Sequence, residues 1–269
     1  MPATRKRLLG RILVIGTAVV VLGGLATDVY LWHQNASRHT VSVTTRPTEA
    51  ASSPAPTGVP PVPPPPTESI PVPTMSLVAD VQASTIPVYG APAVGTVLAD
   101  VPSVNGMGQT EPLLVVDSSV PGWYEVELPV KPNGSEGWIQ AAGVSVRQDP
   151  DYIRVYQSQF RLEYYVGGTL VKAFRVAVGA PSTPTPYGRF YVWASEPFGA
   201  PYTPGIFALS GFSPVLSNWP GGGRAGIHGW TDTSIIGTRA SHGCVRMRPT
   251  DFAQLLHAVP LGTPVDILT

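Results

Sequence analysis

Cys244 is the only cysteine of the chain, and two histidines precede it closely enough to act on it. His242 stands two residues before it, across Gly243, within Ser241-His242-Gly243-Cys244-Val245-Arg246-Met247. His228 opens the triplet His228-Gly229-Trp230, with twelve residues between it and Ser241. A thiol attacks only as its anion, and a neighbouring imidazole can take the proton or stabilise the charge. These residue types in this pattern point to acyl transfer by a cysteine nucleophile. Two ordinary readings compete. A lone cysteine is most often a buried, inert small hydrophobe. Zinc could use His228, His242 and Cys244, but a structural site wants four clustered ligands. The sequence has no CxxC or HxxxH to complete such a set, so no metal is expected. A single cysteine also excludes an internal disulfide.

The elements that carry these residues occupy only part of the 269-residue chain. Residues 1–11 form a basic segment with Arg5, Lys6, Arg7 and Arg11. Ile12 to Trp32 is an apolar run interrupted by Asp28, near the ~20 residues that cross a bilayer. Tyr30 and Trp32 are the aromatics expected at a membrane interface. A signal peptide is the competing reading, but Gly24-Leu25-Ala26 is a poor cleavage site. The expectation is an uncleaved single-pass anchor with the basic end cytoplasmic and everything after it extracytoplasmic. Residues 33–75 are a linker with eleven prolines between Pro47 and Pro73. Such a segment cannot pack a core and favours polyproline II. It reads as a stalk. Removing the charges of residues 1–40 leaves 12 basic against 16 acidic residues over 41–269. That mildly acidic remainder gives no reason to expect nucleic acid as a partner.

Residues 76–148 and 150–269 read as two β-rich units. In the first, Ile86–Tyr89, Leu113–Asp117, Trp123–Leu128 and Gly137–Ile139 are strand candidates separated by turn residues. Pro132-Asn133-Gly134-Ser135 supplies a hairpin turn. This run resembles a small bacterial SH3-like β-barrel. Trp123 and Trp138 are expected to pack in its core, with a ligand-binding role for exposed edges as the lesser alternative. In the second unit, Gln159–Tyr165 alternates, turns at Gly167-Gly168 and returns through Leu170 to Val178, as a hairpin does. Phe190–Ala194, Gly205–Ser210 and Val265–Leu268 are further strands, and Gly221-Gly222-Gly223 precedes Ala225–His228. Pro249–Leu256 is the one clear short helix, with Thr250 or Asp251 as its start signal. The fold class is mainly β, with one or two short helices.

Ile227-His228-Gly229, the separation to Ser241-His242-Gly243-Cys244-Val245-Arg246-Met247, and Thr185-Pro186 with Gly188 and Phe190 upstream together resemble an L,D-transpeptidase catalytic domain of YkuD type. The resemblance covers about 120 residues. It implies an enzyme of peptidoglycan that needs no cofactor. A thiolate attacks the third residue of a stem peptide and expels D-alanine. An amine of another stem then resolves the thioester into a 3→3 cross-link. Water as acceptor makes a carboxypeptidase instead. It also implies acylation of the cysteine by carbapenem β-lactams.

On the same resemblance Cys244 is the nucleophile and His228 the proton acceptor and later donor. His228 needs its ring held through its other nitrogen, and a backbone carbonyl would suffice. His242 would share a face with Cys244 on an extended strand, in a supporting or a structural role. The backbone N–H groups of Gly243 and Cys244 are candidate oxyanion donors. Arg246 stands where one branch of the family has Asn, and a guanidinium there could hold a stem-peptide carboxylate. Ser241, Trp230 and Tyr187 are candidate substrate-binding residues. Asp232 reads as a solvated loop residue. Two other functions compete. A wall-binding protein without catalysis would not need both His228 and Cys244. A papain-like hydrolase would place its cysteine before its histidine, and here both histidines come first.

Overall fold

In the computed structural model, residues 71–93, 95–217 and 220–269 are described. The expected anchor and nearly all of the proline-rich linker lie outside them. Among the described residues no helix is long and apolar enough to cross a membrane.

The first sheet has seven strands, all paired antiparallel: β1 (Ser76–Val81), β2 (Thr85–Tyr89), β3 (Val97–Pro102), β4 (Pro112–Asp117), β5 (Trp123–Glu127), β6 (Glu136–Gln140) and β7 (Val144–Asp149). Their order is β3-β2-β6-β5-β4-β1-β7. Gly134, at φ 78°, turns β5 into β6 at the expected hairpin. Alternation decides what faces inward. Tyr124 and Val126 pack with Val88, Leu113 and Ile139. Trp123 and Trp138 therefore fall on the outer face, half-exposed, where Trp123 meets Tyr89 edge-on at 5.4 Å. The expectation of core tryptophans is corrected by that register.

The second sheet has eight strands: β8 (Asp151–Tyr156), β9 (Arg161–Val166), β10 (Thr169–Arg175), β12 (Gly188–Pro197), β13 (Gly205–Phe212), β14 (Arg224–Gly229), β16 (Val245–Met247) and β17 (Pro264–Leu268). Their order is β10-β9-β8-β17-β12-β13-β14-β16. Two short strands, β11 (Val178–Gly179) and β15 (Arg239–Ser241), pair parallel beside it. Helix α1 (Pro249–Leu256) buries Phe252 and Leu255, and Phe252 meets Phe207 of β13 edge-on at 4.9 Å. Its cap residue is Arg248, with Pro249 at the first helical position, rather than Thr250 or Asp251. Proline fits there because its missing N–H would be unpaired in any case.

The two sheets share a buried seam. Leu114 of β4 packs with Tyr191 and Trp193 of β12. Trp193 Nε1 donates to Glu111 at 2.7 Å, and Ser210 Oγ to Glu127 at 3.0 Å. The Arg224 guanidinium lies 3.7 Å over Trp193 and donates to the Pro129 carbonyl at 3.0 Å. The side-chain amide of Asn133 pairs with both backbone groups of Phe212, at 2.9 and 2.8 Å.

Burial raises the Glu111 and Glu127 carboxyls to about 7, against the hydrogen bonds from Trp193 and Ser210. A carboxyl with a raised folded pKa binds its proton more tightly in the folded state. Its contribution is complete below the ordinary Glu range and is lost as pH rises towards about 7. Glu111→Gln and Glu127→Gln should each flatten the fall in thermal midpoint between about pH 5 and about pH 8. A Gln variant that keeps the wild-type pH slope contradicts this assignment.

Candidate active site

Three neighbouring strands build the site. Ile206 of β13 lies opposite His228 of β14, and His228 lies opposite Arg246 of β16. Ile227 and Val245, paired one step earlier, are fully buried in the core. Successive side chains alternate faces, so His228 and Arg246 share the other face. Cys244 precedes β16 by one residue and lies beside Gly226. The Gly226 N–H bonds the sulfur and favours its anion. Arg246 is the charge common to both: it lies near the His228 ring and near the Cys244 sulfur.

The imidazole is oriented by its own neighbour. His228 Nδ1 lies 2.8 Å from the Gly229 carbonyl oxygen. A carbonyl only accepts, so Nδ1 carries the hydrogen and Nε2 keeps its lone pair. His228 is 1% exposed. Burial pulls its pKa down to about 4, and the nearby Arg246 charge adds to this, against the Gly229 bond. Cys244 is also buried, and its thiol is pushed up to about 11 despite Gly226 and Arg246. At neutral pH the pair therefore rests as thiol and neutral imidazole.

An aromatic and cationic wall surrounds the pair. Tyr202 meets His228 edge-on at 4.9 Å and Trp230 at 5.3 Å. Arg246 stacks 3.7 Å over Trp230, is 7% exposed, and buries its Nε without a hydrogen-bond partner. Burial, then the negative charge of an ionised Cys244, raises the Tyr202 hydroxyl to about 12. It therefore remains a donor at neutral pH. Gly229 makes this wall possible. A Cβ there would stand 1.9 Å from the Thr203 carbonyl oxygen, so only glycine lets the Tyr202 turn close over His228.

Residues 150–267 match the family model of the YkuD L,D-transpeptidase catalytic domain. This region is an L,D-transpeptidase catalytic domain. The chain is 38% identical to a putative L,D-transpeptidase YkuD of Bacillus licheniformis over 107 residues, which are 39% of this chain and 58% of that one. It is 33% identical to the Bacillus subtilis counterpart over 123 residues, 44% of this chain and 66% of that one. The chain therefore spans about three fifths of the length of these relatives. A solved catalytic domain of an Enterococcus faecium L,D-transpeptidase, acylated by ertapenem, is 27% identical. The match covers 44% of this chain and 96% of that domain, with a TM-score of 0.35.

Within the L,D-transpeptidase domain, the loop before Cys244 departs from the sequence expectation. Ser241 is 1% exposed; its Oγ donates to the Cys244 carbonyl at 2.5 Å and accepts from Gly243 N–H at 3.1 Å. It shapes the loop and does not face a substrate. The Gly243 N–H, expected to face an oxyanion, is taken by that hydroxyl, which leaves the Cys244 N–H of the expected pair. Gly243 itself has φ 114°, a region that favours glycine. Behind it, Thr185 Oγ1 accepts from Gly179 N–H at 2.8 Å, and Thr183 Oγ1 donates to the Ser241 carbonyl at 3.1 Å. The Thr-Pro motif is thus a buttress. Tyr187 is 74% exposed just before β12. His242 is exposed. Asp232 caps a short turn through Ser234 N–H at 3.1 Å, and its charge reaches Arg246. Among the described residues, no three His, Cys, Asp or Glu side chains gather as a metal site would require.

Tyr202 is the residue that sequence reasoning missed. The one available signal was the Pro-flanked turn Pro201-Tyr202-Thr203-Pro204 just before β13. The resting state of the pair is testable. Alkylation of Cys244 by iodoacetamide should be slow at neutral pH and rise about tenfold per pH unit towards about 11. A rate already flat at neutral pH would reveal a preformed thiolate–imidazolium pair.

Proposed function

We propose that the chain is a peptidoglycan L,D-transpeptidase that forms 3→3 cross-links through a thioester on Cys244. The supporting observation is the His228 ring: Nδ1–H is fixed on the Gly229 carbonyl, on the strand paired with the one that follows Cys244, so Nε2 is the basic nitrogen. As the sulfur attacks the carbonyl of the third stem residue, the thiol proton moves to Nε2 and the S–C bond forms. The C–N bond to D-alanine then breaks, and the leaving amine takes the proton from His228. The acceptor amine attacks the thioester, gives up a proton to His228, and releases the thiol as that proton returns to sulfur. Oxyanion stabilisation falls to the Cys244 N–H and to the Tyr202 hydroxyl, which stays protonated at neutral pH.

Arg246 supplies the anion subsite. Its buried, partly unpaired guanidinium lies flat on Trp230 and suits a substrate carboxylate. The bound carboxylate would complete the hydrogen bonding that Nε lacks. In this reading, residues 12–32 anchor the chain in the membrane and residues 33–75 carry the catalytic domain outward to the wall. Carbapenems such as ertapenem, which acylates the Enterococcus faecium relative, are proposed to acylate Cys244.

Incubation of the chain with disaccharide tetrapeptide, followed by mass spectrometry, should give cross-linked dimer and free D-alanine. Tripeptide without dimer would make the protein an L,D-carboxypeptidase. No turnover and no carbapenem adduct would leave wall binding as its function. Cys244→Ala should abolish turnover, and His228→Ala should lower it about 10²–10⁴-fold. Wild-type rates in either variant contradict these roles.

A further inference from the structure

The 103–111 segment of the first sheet reaches the end of β12, in the second. β17 pairs with β12 only over Gly188–Tyr191, so Ser195 and Glu196 lie past the end of that ladder. Gln109 takes the place of the missing strand. Its Nε2 donates to the Ser195 carbonyl at 2.7 Å, and its Oε1 accepts from Ser195 N–H at 3.1 Å. The same Nε2 donates to Glu196 Oε1 at 2.7 Å. Asn105, 5% exposed, seats this segment. Its Nδ2 donates to the Trp193 carbonyl at 2.9 Å, and its Oδ1 accepts from the N–H groups of Met107 and Gln109 at 2.9 and 3.1 Å.

The register carries this contact to the site. Glu196 pairs with Ile206, Ile206 with His228, and His228 with Arg246. One row across four strands runs from the Gln109 amide to the imidazole and the guanidinium. Just past Glu196 the chain enters the Phe198–Pro204 turn, closed by Phe198 N–H donating to the Pro204 carbonyl at 3.0 Å. That turn holds Tyr202 over His228.

We propose that Gln109, seated by Asn105, is a positioning residue for acyl transfer: it fixes the end of β12 and thereby the turn that sets Tyr202 on His228. The inference rests on the acyl-transfer reading of the site. It gives the first sheet a part in catalysis without any contact with substrate. A side-chain amide suits the task because it offers a donor and an acceptor in one plane, as a strand backbone does. Displacement of reacting groups by about 1 Å can cost up to about 100-fold in rate, so a contact of this kind is large enough to measure.

The test uses the full chain with Gln109→Ala and with Gln109→Met, which keeps the bulk and removes the amide. Carbapenem acylation of Cys244, kcat and KM on disaccharide tetrapeptide, iodoacetamide alkylation and the thermal midpoint are measured together. Acylation and kcat should fall about tenfold, while KM and alkylation change by less than about twofold. In a Tyr202→Ala background, adding Gln109→Met should cost little more, because both act through the same turn. Near-wild-type acylation in a folded Gln109→Met variant overturns the inference, and so do losses that simply multiply with Tyr202→Ala. A wild-type chain that is not acylated overturns the reading of the site itself, and the inference with it.

Discussion

The hydrogen bond from His228 Nδ1 to the Gly229 carbonyl decides what the rest of the site can do. It fixes the tautomer, aims Nε2, and needs no carboxylate partner. A carboxylate there would stabilise the imidazolium, whereas a neutral carbonyl does so only weakly. Burial and the Arg246 charge then keep the ring neutral at rest. The consequence is a ring that is neutral and a sulfur that is seldom charged at neutral pH. Under the proposed function the thiol would give up its proton as a carbonyl arrives to take the developing charge.

Glycines enforce this arrangement by allowing close approach. Gly229 admits the Thr203 carbonyl, and so the Tyr202 turn. Gly179 packs against Thr183–Thr185, where a Cβ would stand 2.3 Å from the Thr185 nitrogen. That packing supports Ser241, whose hydroxyl ties Gly243 N–H to the Cys244 carbonyl. The motif residues around Cys244 therefore divide into two groups. Under the proposed function Cys244, His228 and Arg246 would face the reaction, while Ser241, Gly243 and Thr185 hold the loop that carries the sulfur.

Much of this was legible in the sequence because it is local or periodic. Gly134 and the Gly167-Gly168 pair marked real turns, and residue type and spacing put Cys244 and His228 forward as candidates. Helix α1 was read over its full span, although its cap is Arg248, just before Pro249, and not a residue inside the first turn. What was missed depends on register between distant segments. Tyr202 reaches His228 only because a hairpin folds back, and Gln109 reaches Ser195 across 86 positions. Ser241 looked like a cleft residue, since nothing local reveals that both sides of its hydroxyl are engaged. The tryptophans misled because hydrophobicity suggests burial, whereas strand alternation had already given the inner face to Tyr124 and Val126.

The chemistry turns on the protonation of one ring. Nitrogen NMR of the full chain, labelled with ¹⁵N at histidine and assigned through His228→Gln, tests it most directly. The His228 signals should be those of a neutral imidazole protonated at Nδ1, unchanged between about pH 6.5 and about pH 9. An imidazolium at neutral pH, or a neutral ring protonated at Nε2, would contradict it.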